Sequence, residues 1–205
     1  MKEEMRRSKK IFYTQRVEIV ESYHERRDCA DQNIPRLRQA CGYLPFPIPN
    51  VIDDIAAYLE AGRPDGILLT GGNSLICYGG NAAERDRTDA HVLQWAIEKR
   101  IPVYGFCRGM QSILDFFGVK LRQVENHVAL RHNVSGEWGT RNVNSYHNQA
   151  ALQVCPELIV TAVSEDRVIE ALRHKEYPIE ATMWHPEREQ PFAKEDIRRL
   201  QELFG

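Results

Sequence analysis

The chain is poor in long apolar runs. Its mean hydropathy is −0.49, and none of its 205 residues fall in a stretch approaching the roughly 20 that a membrane-crossing helix needs. It has no excess of positive charge either. A net charge of −2 with a pI near 6.4 gives no electrostatic footprint for nucleic acid or an anionic membrane, so neither is expected as a partner. Cysteine is sparse and unpatterned: Cys29, Cys41, Cys77, Cys107 and Cys155 are odd in number and show no C-x-x-C spacing. That excludes a disulfide framework and fits a reducing compartment. There is no P-loop or other ATP motif, no internal repeat, no linker and no low-complexity segment. Met1 to Lys10 is charged throughout and has no apolar h-region, so it reads as a tail over residues 1–9 and not as a signal peptide. One domain over residues 10–205, in the cytoplasm, is the expectation.

What is present alternates between strand and helix. Lys10 to Arg16 reads as a first strand, Ser22 to Asp31 as a polar loop or first helical turn, and Asn33 to Cys41 as a helix stopped by Gly42. The prolines of Tyr43 to Pro49 forbid helix and suit an edge strand. Val51 to Leu59 recurs at helical spacing, Gly66 to Thr70 is a short buried strand, and Glu84 to Lys99 is a helix with Val92, Leu93, Ala96 and Ile97 on its apolar face. The second half is less regular. It offers strands at Val119 to Val124, Leu158 to Val163, Arg167 to Leu172 and Pro178 to Trp184, then a closing helix from Ala193 to Phe204. This order predicts an α/β three-layer sandwich around a mostly parallel sheet, flavodoxin-like in outline.

The most telling stretch is Ile101 to Gln111. A short apolar run stops at Gly105 and restarts after Cys107 as the amphipathic segment Met110 to Phe117. A strand that turns sharply into a helix holds its turn residue on an exposed corner, and Gly105 and Gly109 are the small neighbours such a corner needs. The helix would aim its N–H groups at the sulfur and favour the thiolate. A buried structural cysteine at a strand end fits the same pattern. A cysteine nucleophile needs a base, and the base needs an orienting group. His185 and Glu187 stand together after a strand with Pro186 between them, although a lone histidine there is also a common cap. Gly71-Gly72-Asn73 follows another strand and lets backbone N–H groups approach a ligand. Arg26 and Arg27 suit either a solvated face or an anionic group on a substrate.

Taken together, Thr70-Gly-Gly72, Gly105-Phe-Cys-Arg-Gly-Met-Gln111 and His185-Pro-Glu187 resemble the class I glutamine amidotransferases, and Asn144-Ser-Tyr-His-Asn-Gln149 is similar to the γ-glutamyl hydrolase branch, the C26 peptidases. The resemblance implies that Cys107 is the nucleophile, His185 the general base and then acid, and Glu187 the group that orients it. It implies an oxyanion hole from the backbone N–H groups of Gly72 and Arg108, with Gln111, Ser145 and Tyr146 holding a glutamyl group. Further stretches, among them Thr14-Gln-Arg16, Glu125-Asn-His127, Ile169-Glu-Ala171 and Met183 to Glu189, look like the enzymes of this branch that cut glutamate from a cytidine diphosphate carrier in capsule phosphoramidate synthesis. A nucleotide-linked γ-glutamyl amide would give Arg16, Arg26, Arg27, Asn73 and His127 something to bind.

Two rival readings stand beside this. A glutaminase subunit would pass ammonia to a separate synthetase, and a binding module would keep the fold without the chemistry. The spacing of His127, His132 and His147 fits no zinc pattern, so neither a metal nor any other cofactor is expected. Homo-oligomerisation is left open.

Overall fold

The computed structural model of the protein describes residues 8–205, so most of the expected tail lies outside the described residues. In chain order, β1 (Lys10–Thr14) is followed by a hairpin of β2 (Arg16–Val20) and β3 (Glu25–Cys29), then α1 (Asn33–Ala40) and β4 (Leu44–Ile48). Next come α2 (Ile55–Gly62), β5 (Gly66–Leu69), α3 (Ala83–Lys99), β6 (Val103–Phe106) and α4 (Arg108–Phe116). The remainder is β7 (Arg122–Gln123), β8 (Val128–Gly136), β9 (Gly139–Tyr146), β10 (Gln149–Ala150), β11 (Leu158–Ser164), β12 (Ile169–His174), β13 (Ile179–Thr182) and α5 (Lys194–Phe204).

The main sheet has nine strands in the order β4-β1-β5-β6-β13-β12-β11-β8-β9. From β4 to β13 every neighbour is parallel, and from β12 to β9 every neighbour is antiparallel. The parallel strands are covered on both faces, which is why Gly66–Leu69 and Val103–Phe106 are buried at every position. Alternation along each strand divides the core. Ile11, Tyr13, Leu68, Tyr104 and Phe106 pack with Ile34 and Leu37 of α1 and Leu200 and Phe204 of α5. Phe12, Ile67, Leu69 and Val103 pack on the other face with Leu59 of α2, Val92 and Leu93 of α3, and Ile113 and Leu114 of α4. This is the expected three-layer α/β sandwich. The proline-bearing strand β4 lies at the sheet edge, where a missing N–H leaves no ladder bond unmade.

Three local expectations change. Half of Ser22 to Asp31 is strand, Glu25–Cys29, because β2 and β3 pair antiparallel and polar side chains are tolerated on an exposed ribbon. Helix α2 begins at Ile55 and not at Val51, since Asp54 caps it by accepting from the Ala57 N–H at 2.8 Å. The irregular polar stretch after His127 is the long β8–β9 hairpin, and only Arg122–Gln123 of the expected strand at Val119 to Val124 is extended.

Candidate active site

The carboxyl ends of β5, β6 and β13, adjacent in the sheet, bring together the Gly71–Asn73 turn, Cys107 and His185. Ligands of open parallel sheets bind at this end of the strands. Cys107 has φ 51° and ψ −112°, a left-handed conformation that costs about 1–3 kcal/mol in a non-glycine residue. The crowding around it is severe: a Cβ on Gly109 would sit 2.0 Å from the Leu69 carbonyl oxygen. The turn therefore forms only because the next helix can lie directly on β5. Cys107 stands at the N-terminus of α4, where the dipole favours a thiolate.

His185 Nδ1 and Glu187 Oε1 are 2.7 Å apart and both residues are buried. The other ring nitrogen, Nε2, is buried without a hydrogen-bond partner among the described residues. His185 and Cys107 line the same open cleft. Burial works against charge on both groups, yet each stabilises the other. The imidazole beside it and the Arg108 N–H hold the Cys107 thiol below its ordinary pKa. The sulfur and the Glu187 carboxylate hold His185 above its ordinary value. The arrangement favours a thiolate–imidazolium pair.

Of the other residues read from the sequence, Gly72, Asn73, Gln111 and Tyr146 line this cleft. Gly72 adopts φ +89°. Asn73 clasps Val17 through both its amide atoms, at 2.8 and 2.9 Å, and Gln111 donates to the Gln149 carbonyl at 2.9 Å. The Arg108 side chain points away into α3, paired with Asp86 and Asp89, which leaves its backbone at the turn. Arg16 lines an adjoining hollow together with Gly72, His185 and Arg188.

Four positions are not brought to the cleft. Ser145 is fully buried and spends its hydroxyl on the His127 carbonyl at 2.7 Å. Arg26 is engaged by Glu84 and the Asn81 carbonyl, Arg27 by Glu25. His127 is turned toward Asp166 and Glu170. The fold also gathers His127, His132 and Glu170, one ligand atom of each lying within 4.8 Å of the others.

Three contributors were missed in the sequence. The guanidinium of Arg85, fully buried in α3, donates to the carbonyls of Thr70, Gly71 and Gly72. By holding those oxygens it fixes the backbone of the loop; burial, with Arg108 nearby, lowers its pKa to about 9. A signal existed, since Arg85 and Asp89 continue the face that carries Val92, Leu93 and Ala96. Asn144 grips the His185 backbone, donating to its carbonyl at 2.8 Å and accepting from its N–H at 2.9 Å. Arg188 lines both hollows and stacks over Tyr146 at 4.3 Å.

With this geometry in hand, comparison with known proteins is decisive at the level of family: residues 13–187 match Peptidase C26. The chain belongs to the peptidase C26 family. Across 95% of the chain and 97% of the relative, it is 32% identical to the gamma-glutamyl-CDP-amidate hydrolase of Campylobacter jejuni subsp. jejuni. It is 31% identical to the gamma-glutamyl-gamma-aminobutyrate hydrolase of Escherichia coli, covering 71% of the chain and 73% of the relative. It is 32% identical to anthranilate synthase component 2 of Thermococcus kodakarensis over 68% of the chain and 73% of that protein. The crystal structure of a GMP synthase subunit from Thermoplasma acidophilum superposes with a TM-score of 0.72, at 20% identity, covering 96% of this chain and 93% of that one. The last likeness speaks for the fold, which this C26 member shares. No helix among its described residues is long and apolar enough to cross a membrane.

Proposed function

We propose that this C26 member is a cysteine hydrolase that cleaves a γ-glutamyl amide, with γ-glutamyl-CDP-amidate as substrate and L-glutamate and cytidine diphosphoramidate as products. The observation that carries the chemistry is the row Cys107, His185, Glu187 on neighbouring strand ends, with Cys107 and His185 opening on one cleft and Glu187 behind the imidazole. The Cys107 thiolate attacks the γ-carbonyl, and the resulting oxyanion is met by the N–H groups of Gly72 and Arg108; one such donor is worth about 3 kcal/mol. His185 gives its proton to the departing nitrogen, leaving a glutamyl thioester. A water then loses a proton to His185 and attacks the thioester, which frees glutamate and returns the thiolate. Glu187 keeps the imidazole oriented throughout, and Gln111 and Tyr146 stand where the glutamyl head would lie.

Support for the nucleotide-linked leaving group is twofold: the resemblance to the Campylobacter enzyme along nearly the whole chain, and two arginines, Arg16 and Arg188, at the margin of the cleft. Guanidinium groups suit a diphosphate. They replace Arg26 and Arg27 in that role. The test is glutamate release by the isolated protein from γ-glutamyl-CDP-amidate, L-glutamine and a simple γ-glutamyl amide. Strong preference for the nucleotide substrate is expected. Inertness toward all three, with Cys107 still open to alkylation, would favour a glutaminase that works only with a separate synthetase, the reading that the likeness to anthranilate synthase component 2 supports.

A further inference from the structure

Beside the cleft, on the antiparallel half of the sheet, three buried or half-buried histidines converge on one carboxylate oxygen. His127 Nδ1 and His147 Nε2 each lie 3.3 Å from Glu170 Oε1, and His132 Nε2 lies 3.5 Å from it. Glu170 and His147 are at most 3% exposed. Both Glu170 oxygens, both nitrogens of His147, His127 Nδ1 and His132 Nε2 are buried without a hydrogen-bond partner among the described residues. A carboxylate accepting from imidazolium closes to about 2.7–2.9 Å, so these contacts are too wide for that. They match instead the edge of a tetrahedron of ligands held about 2.0–2.1 Å from a central ion, an edge of about 3.3–3.4 Å.

We propose that His127, His132 and Glu170 bind a divalent transition metal, zinc by the donor set of two imidazoles and one carboxylate. Tautomer geometry agrees. His127 Nε2 lies 3.0 Å from Asp166 Oδ2, so its proton goes to that carboxylate and the Nδ1 lone pair faces the ion. An outer carboxylate of this kind orients a metal-bound histidine and raises its basicity. One donor atom each from His127, His132 and Glu170 lies within 4.8 Å of the others, which leaves the fourth corner of a tetrahedron to a water molecule. His127 and His132 belong to the start of the β8–β9 hairpin, His147 follows β9, and Glu170 lies in β12. The ion would thus pin the start of the hairpin to β12, beside the stretch Tyr146 to Gln149 that lines the cleft.

The test is elemental analysis of the full chain purified from zinc-supplemented cells, with thermal unfolding before and after dipicolinate treatment. About one zinc per chain is expected, with a fall in Tm of about 10 °C on its removal and recovery when Zn²⁺ is returned. Co²⁺ in its place should give the intense visible bands of a tetrahedral site. His132→Gln, at the half-exposed corner where folding is least at risk, should cut the zinc content at least tenfold, with Cys107 still alkylated at the rate found in the zinc-free parent. Protein that is zinc-free as purified, and whose Tm ignores added Zn²⁺, would overturn the proposal. So would full zinc content in His132→Gln.

Discussion

In the parallel half of the sheet, Arg85 and Arg108 are wholly buried, and both terminal nitrogens of each guanidinium have acceptors close at hand: the Thr70 to Gly72 carbonyls for the first, Asp86 and Asp89 for the second. In the antiparallel half, Glu170 is buried as deeply, yet neither of its oxygens has a hydrogen-bond donor among the described residues. Burying a charge is expensive unless it is paired. The charges of Arg85 and Arg108 are met by the loops and helices around them, whereas that of Glu170 would be met by the ion proposed above. Chemistry should therefore be removable from the parallel half without loss of fold, whereas the antiparallel half should loosen when its ion is taken away.

The strongest check is Cys107→Ala. Alanine meets the same backbone strain as cysteine at φ 51°, so thermal unfolding should be nearly unchanged. Glutamate release should fall about 10⁴-fold or more. Turnover within tenfold of the parent would remove the thioester mechanism.

Glu187→Gln tests the ion pair itself. The neighbouring sulfur and carboxylate raise the pKa of His185, so the parent should keep its acid form as pH rises well past the usual histidine range. Without the Glu187 charge, His185 should lose its proton at lower pH. The alkaline limb of the kcat/KM profile should move down, with a loss of about 10²–10³-fold in rate. An unmoved alkaline limb would show that Glu187 does not act on the imidazole.

Arg85→Met keeps a long side chain in place while deleting its donors to the Thr70, Gly71 and Gly72 carbonyls. Misplaced oxyanion donors weaken the transition state more than the ground state. A fall in kcat of about tenfold to a hundredfold, with KM little altered, is expected. A pure KM effect would mean the loop binds substrate without stabilising the oxyanion.

The contrast between the halves also explains what the sequence discloses. Parallel strands buried on both faces are short apolar runs, and Gly66 to Leu69 and Val103 to Phe106 can be read directly, along with the turns that follow them. Once Cys107, His185 and Gly72 stand at the ends of such runs, the topology gathers them at one edge. The β8–β9 hairpin has no such run: β8 exposes most of its residues and alternates poorly. Its histidines join Glu170 only through pairing between strands far apart in sequence, so no local spacing displays them. Asn144 stands in a legible motif, but its grip on the His185 backbone depends on a partner 41 residues away. Arg26 and Arg27 are ambiguous in the sequence for the opposite reason. Adjacent arginines in a polar stretch look available, and only the fold reveals that Glu84 and Glu25 already hold them.

The finest comparison sets Arg188 against Arg26. Arg188 flanks His185, lines both hollows and is held over the Tyr146 ring, whereas Arg26 sits on the exposed β2–β3 ribbon in an ion pair with Glu84. Surface pairs of that kind contribute about 0–1 kcal/mol. A guanidinium that meets a phosphate on the leaving group should contribute about 1.5–3 kcal/mol. Arg188→Ala should thus raise KM for γ-glutamyl-CDP-amidate about tenfold or more, while KM for a simple γ-glutamyl amide moves much less, because that substrate has no phosphate to lose. Arg26→Ala should leave both values within about twofold. If Arg188→Ala affects the two substrates equally, its stacking on Tyr146 is what matters and the diphosphate must lie elsewhere. A selective effect of Arg26→Ala would mean that the ribbon folds over the nucleotide during turnover and that its salt bridge to Glu84 opens to let it do so.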